Sequence, residues 1–115
     1  MEKDTDKNSI IELLMSGAGK DEIINYCNTM LQPLRAADSK NKTQLEKTLV
    51  TYLECGNDMV KTSGVLYIHR NTMVQRVRKI NELLGTNVNL PFVRNEFMNI
   101  FLVLKYFDED EGKSI

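Results

Sequence analysis

The sequence predicts an all-α fold, a small helical domain built on one core. Three observations carry that prediction. Apolar residues recur at steps of three and four in segment after segment, as in Leu45, Leu49, Tyr52 and Leu53. No stretch of any length alternates apolar and polar residues with the period of two that a half-buried strand requires. Residues that start or stop helices fall at the ends of the periodic segments: Ser9, Asp58 and Pro91 at starts, Gly17, Gly56 and Gly85 at stops.

A chain of 115 residues has room for one domain. Its 42% hydrophobic and 27% charged residues exclude a disordered polymer and fit an ordinary globular domain. The first nine residues, MEKDTDKNS, are polar, and no apolar run reaches the length of a membrane span. The expected location is therefore the cytoplasm, with no membrane partner. The expected organisation is a disordered segment over 1–8, a single helical domain over 9–107 and a disordered acidic tail over 108–115.

The elements follow in order. Ile10, Ile11, Leu13 and Leu14 make a short amphipathic helix, capped by Ser9 and ended by Gly17 and Gly19. A second helix covers Lys20 to Leu31, with Ile23, Ile24, Tyr26, Cys27, Met30 and Leu31 as its apolar face. Pro33 then opens a further turn over Leu34 to Ala37, and Ser39 to Lys42 form a polar loop. Thr43 starts the next helix, with Glu46 three residues on to complete a capping box. Gly56 stops it. Thr86 to Leu90 are a loop, and Pro91 is a good first residue for the last helix, Phe92 to about Phe107.

Between Gly56 and Thr86 lies the stretch around which the chain is organised. It reads as two helices with a tight turn, over residues 58–84. Asp58 caps the first, where Met59, Val60, Val65 and Leu66 are apolar. Ser63 and Gly64 are small, which suits the close approach of a crossing helix. Tyr67, Ile68 and His69 make the turn, with Ile68 as the apolar plug between the helices. In the second helix, Met73, Val77, Ile80 and Leu84 share one side, while Asn71, Val74, Gln75, Arg78 and Glu82 share the other. Gly85 ends it. This is the outline of a helix-turn-helix, a motif whose second helix enters a DNA major groove. The net charge of −1 is not that of a strongly basic protein. The charge is segregated, however: residues 61–79 carry five cations (Lys61, Arg70, Arg76, Arg78, Lys79) and no acid, and it is patch charge that meets phosphates.

The stretch LEKTLVTYLECGNDMVKTSGVLYIHRNTMVQRVRKINELLG resembles the C-terminal domain of PucR-type and CdaR-type bacterial transcription regulators. Leu45, Thr48-Leu49, Tyr52-Leu53, Gly56, Leu66, His69-Arg70-Asn71-Thr72, Arg76, Ile80 and Leu83-Leu84-Gly85 carry the resemblance, with HRNT followed by Arg76 its most specific part. The core is also similar to Fis-like DNA-binding domains. The resemblance implies a Fis-like helix-turn-helix with flanking support helices. It implies sequence-specific binding of double-stranded DNA, and a sensory region N-terminal to such a domain. Val74 and Gln75 stand where the family more often has Arg and an aromatic, so no particular base sequence carries over.

Residue roles follow from these two readings together. His69, Arg70, Thr72, Arg76 and Lys79 are expected mainly on phosphates, which position a protein without reading sequence. Asn71, Val74, Gln75 and Arg78 are expected at base edges. Asn or Gln pairs bidentately with adenine, Arg with guanine, and Val touches a thymine methyl. Two roles fit His69, a helix cap or a phosphate donor, and two fit Thr72, a backbone or a phosphate bond. No catalytic arrangement and no phosphate loop is present, so no enzyme and no cofactor is expected. Cys27 and Cys55 lie in apolar helical patterns without a zinc-site context and read as buried thiols. The last helix is apolar almost all round. Either it runs through the middle of the domain, or part of it, with Met98, Phe101 and Leu102, pairs two copies into a homodimer. The competing function is a helical adaptor that binds a protein through this helix and not DNA.

Overall fold

The computed structural model describes residues 9–113. Among the described residues it contains six helices and no strand: α1 Ile10–Met15, α2 Lys20–Asn41, α3 Leu45–Glu54, α4 Met59–Leu66, α5 Arg70–Leu84 and α6 Pro91–Lys113. The chain divides into two compact units. One holds residues 31–94, with α3, α4 and α5; the other holds, of the described residues, 9–30 and 95–113.

The first unit is a three-helix cluster in which α3, α4 and α5 all touch one another. Leu45, Leu49, Tyr52 and Leu53 of α3 and Met73, Val77 and Ile80 of α5 are buried at the periodicity read from the sequence. Leu31 and Leu34 of α2 are buried too. Asp58 caps α4, its carboxylate accepting from the Lys61 amide at 2.9 Å. Gly56 and Gly85 adopt the left-handed conformation that ends α3 and α5. The loop after α5 is fastened rather than free. Val88 is fully buried, its amide donates to Asn81 Oδ1 at 2.9 Å, and Asn89 Oδ1 accepts from Tyr52 Oη and Asn57 Nδ2, both at 2.9 Å.

The second unit is organised by a buried acid. Glu96 accepts from the Ile10 amide at the start of α1 with both carboxylate oxygens (3.2 and 3.0 Å) and from the Tyr26 hydroxyl. Burial, and then the bond to Glu96, hold the Tyr26 phenol well above its ordinary pKa. Ser9 caps α1 as the sequence indicates, accepting from the Glu12 amide at 3.1 Å. Ile10, Ile23, Cys27, Phe97 and Ile100 are buried in this unit.

Five expectations are corrected. α2 does not stop at Leu31: it runs through Pro33 to Asn41 and absorbs the expected Leu34–Ala37 turn and most of the polar loop. Pro33 and Thr29, the residue four before it whose carbonyl a proline cannot serve, are both exposed. Buried Leu31 and Leu34 hold the helix on either side. Thr43 and Glu46 form no capping box. The first amides of α3 go instead to Asp38, with Leu45 N at 2.7 Å and Glu46 N at 3.0 Å, while Glu46 pairs with Arg35 at 3.0 Å. Gly64 makes no close approach, since a Cβ built there meets nothing within 4 Å. Cys55 is half-buried at the end of α3, whereas Cys27 is buried. Finally, α6 does not end near Phe107 but continues to Lys113. Helix propagation is cheap once begun, and no Gly or Pro intervenes until Gly112. The segment expected to be disordered, 1–8, lies outside the described residues.

Candidate nucleic-acid interface

The site is built on the two sides of α5. Met73, Val77 and Ile80 are buried at 0%, 5% and 0% exposure and fix the rotation of the helix against α3 and α4. With that face locked, Asn71, Gln75 and Arg78 are displayed on the other side, all exposed, with Val74 half-buried beside them. These are the four residues expected at base edges. The spacing of Asn71, Gln75 and Arg78, at i, i+4 and i+7, lines them along two turns of one face. Arg78 has no hydrogen bond or ion pair among the described residues and presents all of its donors.

The turn before α5 decides where that helix begins. Tyr67 ends α4 in the left-handed region (φ 57°, ψ 44°), its amide donating to the Gly64 carbonyl at 3.3 Å and the Ile68 amide to the Ser63 carbonyl at 3.0 Å. Ile68 is half-buried. Thr62 and Ser63, both buried, return their hydroxyls to the Asp58 and Val60 carbonyls at 2.7 and 2.8 Å. Neither leaves a polar atom unmet in the core. His69 is the N-cap, with Nδ1 accepting from the Asn71 amide at 3.4 Å. A ring that accepts at Nδ1 carries its neutral-state proton on Nε2, which remains available as an outward donor. The two roles considered for His69 are thus compatible, one on each nitrogen.

The expected phosphate contacts divide. His69 and Arg70 are exposed at the start of α5, and Thr72 is half-buried behind them. Lys79 is exposed and lies 3.4 Å from Glu82, a surface pair that water screens. Arg76 is different. It is half-buried, and its Nη1 donates to Thr48 Oγ1 of α3 at 3.1 Å. Its charge also acts on Asp38. Burial would raise the Asp38 pKa, but hydrogen bonds from Thr43 and the Glu46 and Leu45 amides, with the Arg76 guanidinium, outweigh it and hold the carboxyl below its ordinary value. A side-chain link between α5 and the cap of α3 is not legible in a linear pattern. The one hint is that Arg76 directly precedes the buried Val77, which turns it toward the edge of the core. Among the described residues, no helix is long and apolar enough to cross a membrane.

A family model of the PucR C-terminal helix-turn-helix domain matches residues 45–105, more than half of the chain and the whole of α3 to α5. The chain belongs to the PucR C-terminal helix-turn-helix family. Two curated relatives come from Bacillus subtilis. The proline-responsive transcriptional activator PutR is 31% identical over 102 residues, covering 86% of this chain and 24% of that protein. The purine catabolism regulatory protein is 34% identical over 71 residues, covering 62% of this chain and 13% of that protein. The chain thus spans less than a quarter of the length of either relative. No solved structure matches. Membership of the PucR family places α4 and α5 in the DNA-binding, transcription-regulating class of helix-turn-helix modules.

Proposed function

We propose that this domain binds double-stranded DNA in a sequence-specific manner, with α5 in the major groove, as the output module of a bacterial transcription regulator. One observation supports the reading above the rest. The face of α5 opposite the buried Met73, Val77 and Ile80 is exposed and carries Asn71, Gln75 and Arg78, three side chains suited to base edges. His69, Arg70 and Lys79 flank that face and meet phosphates, with Thr72 reaching the backbone from the first turn. In this reading the domain acts in the cytoplasm, without cofactor or catalysis. Its activity is set by a sensory region N-terminal to it.

A single short helix-turn-helix touches few base pairs, and a two-fold dimer on half-sites about 34 Å apart is the common remedy. Met98, Leu102 and Tyr106 of α6 recur at i, i+4 and i+8 and are exposed, Leu102 by 64%; Phe101 beside them is half-buried. This supports a homodimer through Met98, Phe101 and Leu102. The same stripe supports the second reading, a helical module that binds a protein and no DNA.

Selection of bound sites from random duplex DNA, followed by titration of the winner and of bulk DNA over a salt series, tests the reading. The expected result is an enriched sequence and a log–log salt slope of about −0.9 for each phosphate neutralised. No enrichment and no binding at low salt overturns it in favour of the protein-binding module. Molar mass measured across concentration, free and on the selected site, tests the dimer.

A further inference from the structure

Tyr67 is placed where a tyrosine is expensive. It ends α4 at φ 57° and ψ 44°, a left-handed conformation that glycine adopts freely and a bulky side chain does not. The usual compensations are missing. Its side chain is 94% exposed, so the ring buries almost nothing, and its hydroxyl makes no hydrogen bond among the described residues. The backbone beneath it is held by the Gly64 and Ser63 carbonyls. The ring is therefore displayed from a fixed support.

The surroundings indicate what it is displayed to. Tyr67 lies two residues before His69, in the turn that leads into the exposed His69-Arg70-Asn71 end of α5, and no acid occurs between Lys61 and Lys79. When the second helix of such a pair enters a major groove, the first crosses the sugar–phosphate backbone, so the turn between them lies along the edge of the groove. We infer that Tyr67 is a DNA-backbone contact: its phenol O–H donates to a phosphate oxygen at the groove edge, with the ring against the neighbouring sugar. This rests on the DNA-binding reading above. Tyrosine is one of the side chains that donate to phosphate. Being neutral, it releases no counterion, so its contact adds affinity without adding to the salt dependence.

The experiment pairs Tyr67→Phe, which removes only the hydroxyl, with Tyr67→Gly, which also relieves the backbone. Each is titrated, beside the wild-type chain, against a fluorescently labelled selected site and a random-sequence duplex over a salt series; urea unfolding is followed in parallel. Tyr67→Phe is expected to weaken binding about tenfold, the magnitude of one hydrogen bond to a charged acceptor, and Tyr67→Gly, which also removes the ring, by more; both losses fall equally on the two DNAs and leave the salt slope unchanged. Tyr67→Gly is expected at the same time to raise the urea midpoint, a combination of firmer fold and weaker binding that a purely structural tyrosine would not give. Wild-type binding matched by both variants overturns the Tyr67 contact and leaves the DNA reading standing. A loss confined to the selected site overturns the backbone assignment in favour of a base contact. Absence of wild-type binding to either DNA overturns the DNA reading itself, and this inference with it.

Discussion

Arg76 of α5 donates through Nη1 to Thr48 Oγ1 of α3 at 3.1 Å, and Thr48 donates in turn to the Gln44 carbonyl at 2.7 Å. Thr48 is fully buried, so the link lies inside the three-helix unit. A guanidinium bonded there anchors α5 to the helix behind it. Arg76→Ala is expected to destabilise the fold by about 1–3 kcal/mol, the cost of a lost charge-assisted bond in a partly buried setting. Urea unfolding measures it. A stability within a few tenths of a kcal/mol of wild type would return Arg76 to the exposed phosphate contacts, where its removal would flatten the salt slope instead.

Asp38 caps α3 from the end of α2, taking Leu45 N and Glu46 N as well as the Thr43 hydroxyl. Its carboxyl is held below its ordinary value of 3.8 in the folded chain. The unfolded state therefore binds the proton more readily, and the stability that Asp38 supplies is present above about pH 4 and lost as pH falls through the folded value. Asp38→Asn should cost about 1 kcal/mol near neutrality, as for other lost helix caps. The gap between variant and wild type should narrow as pH falls below about 4. A gap that stays constant across that range would mean that Asp38 acts through shape and not through charge.

Gly64 lies within α4, where a Cβ meets nothing within 4 Å. Gly64→Ala should stabilise the domain by about 0.5–1 kcal/mol, since the helix gains a better former at no steric cost. The observable is an upward shift in thermal midpoint with DNA affinity unchanged. Destabilisation would show that this face of α4 is covered in solution.

Gln75 is exposed on the face of α5 opposite the core. Gln75→Ala should cost about 1–3 kcal/mol on the selected site and little on bulk DNA. Equal losses on both would move Gln75 from base reading to backbone positioning.

Much of the fold was legible along the chain because it depends on near neighbours. The burial of Met73, Val77 and Ile80 follows from a helical period, and with one face of α5 buried, the exposure of Asn71, Gln75 and Arg78 follows as well. Asp58 and Ser9 cap amides three residues on, and Gly85 ends its own helix; such bonds close within one turn. The rest was settled by which groups packing brings together or leaves in water. Pro33 stays inside a helix because it and Thr29 face water while Leu31 and Leu34 are buried. The cap of α3 comes from Asp38, because an acid at the end of the preceding helix reaches the Leu45 and Glu46 amides, which a capping box would have left to Thr43. Glu96 serves the Ile10 amide 86 residues away, and Arg76 serves Thr48 rather than standing free beside Arg78. Local periodicity fixes which side of a helix is apolar. Only packing decides which polar side chain meets which distant donor, because a buried polar group must be paired wherever a partner lies in space.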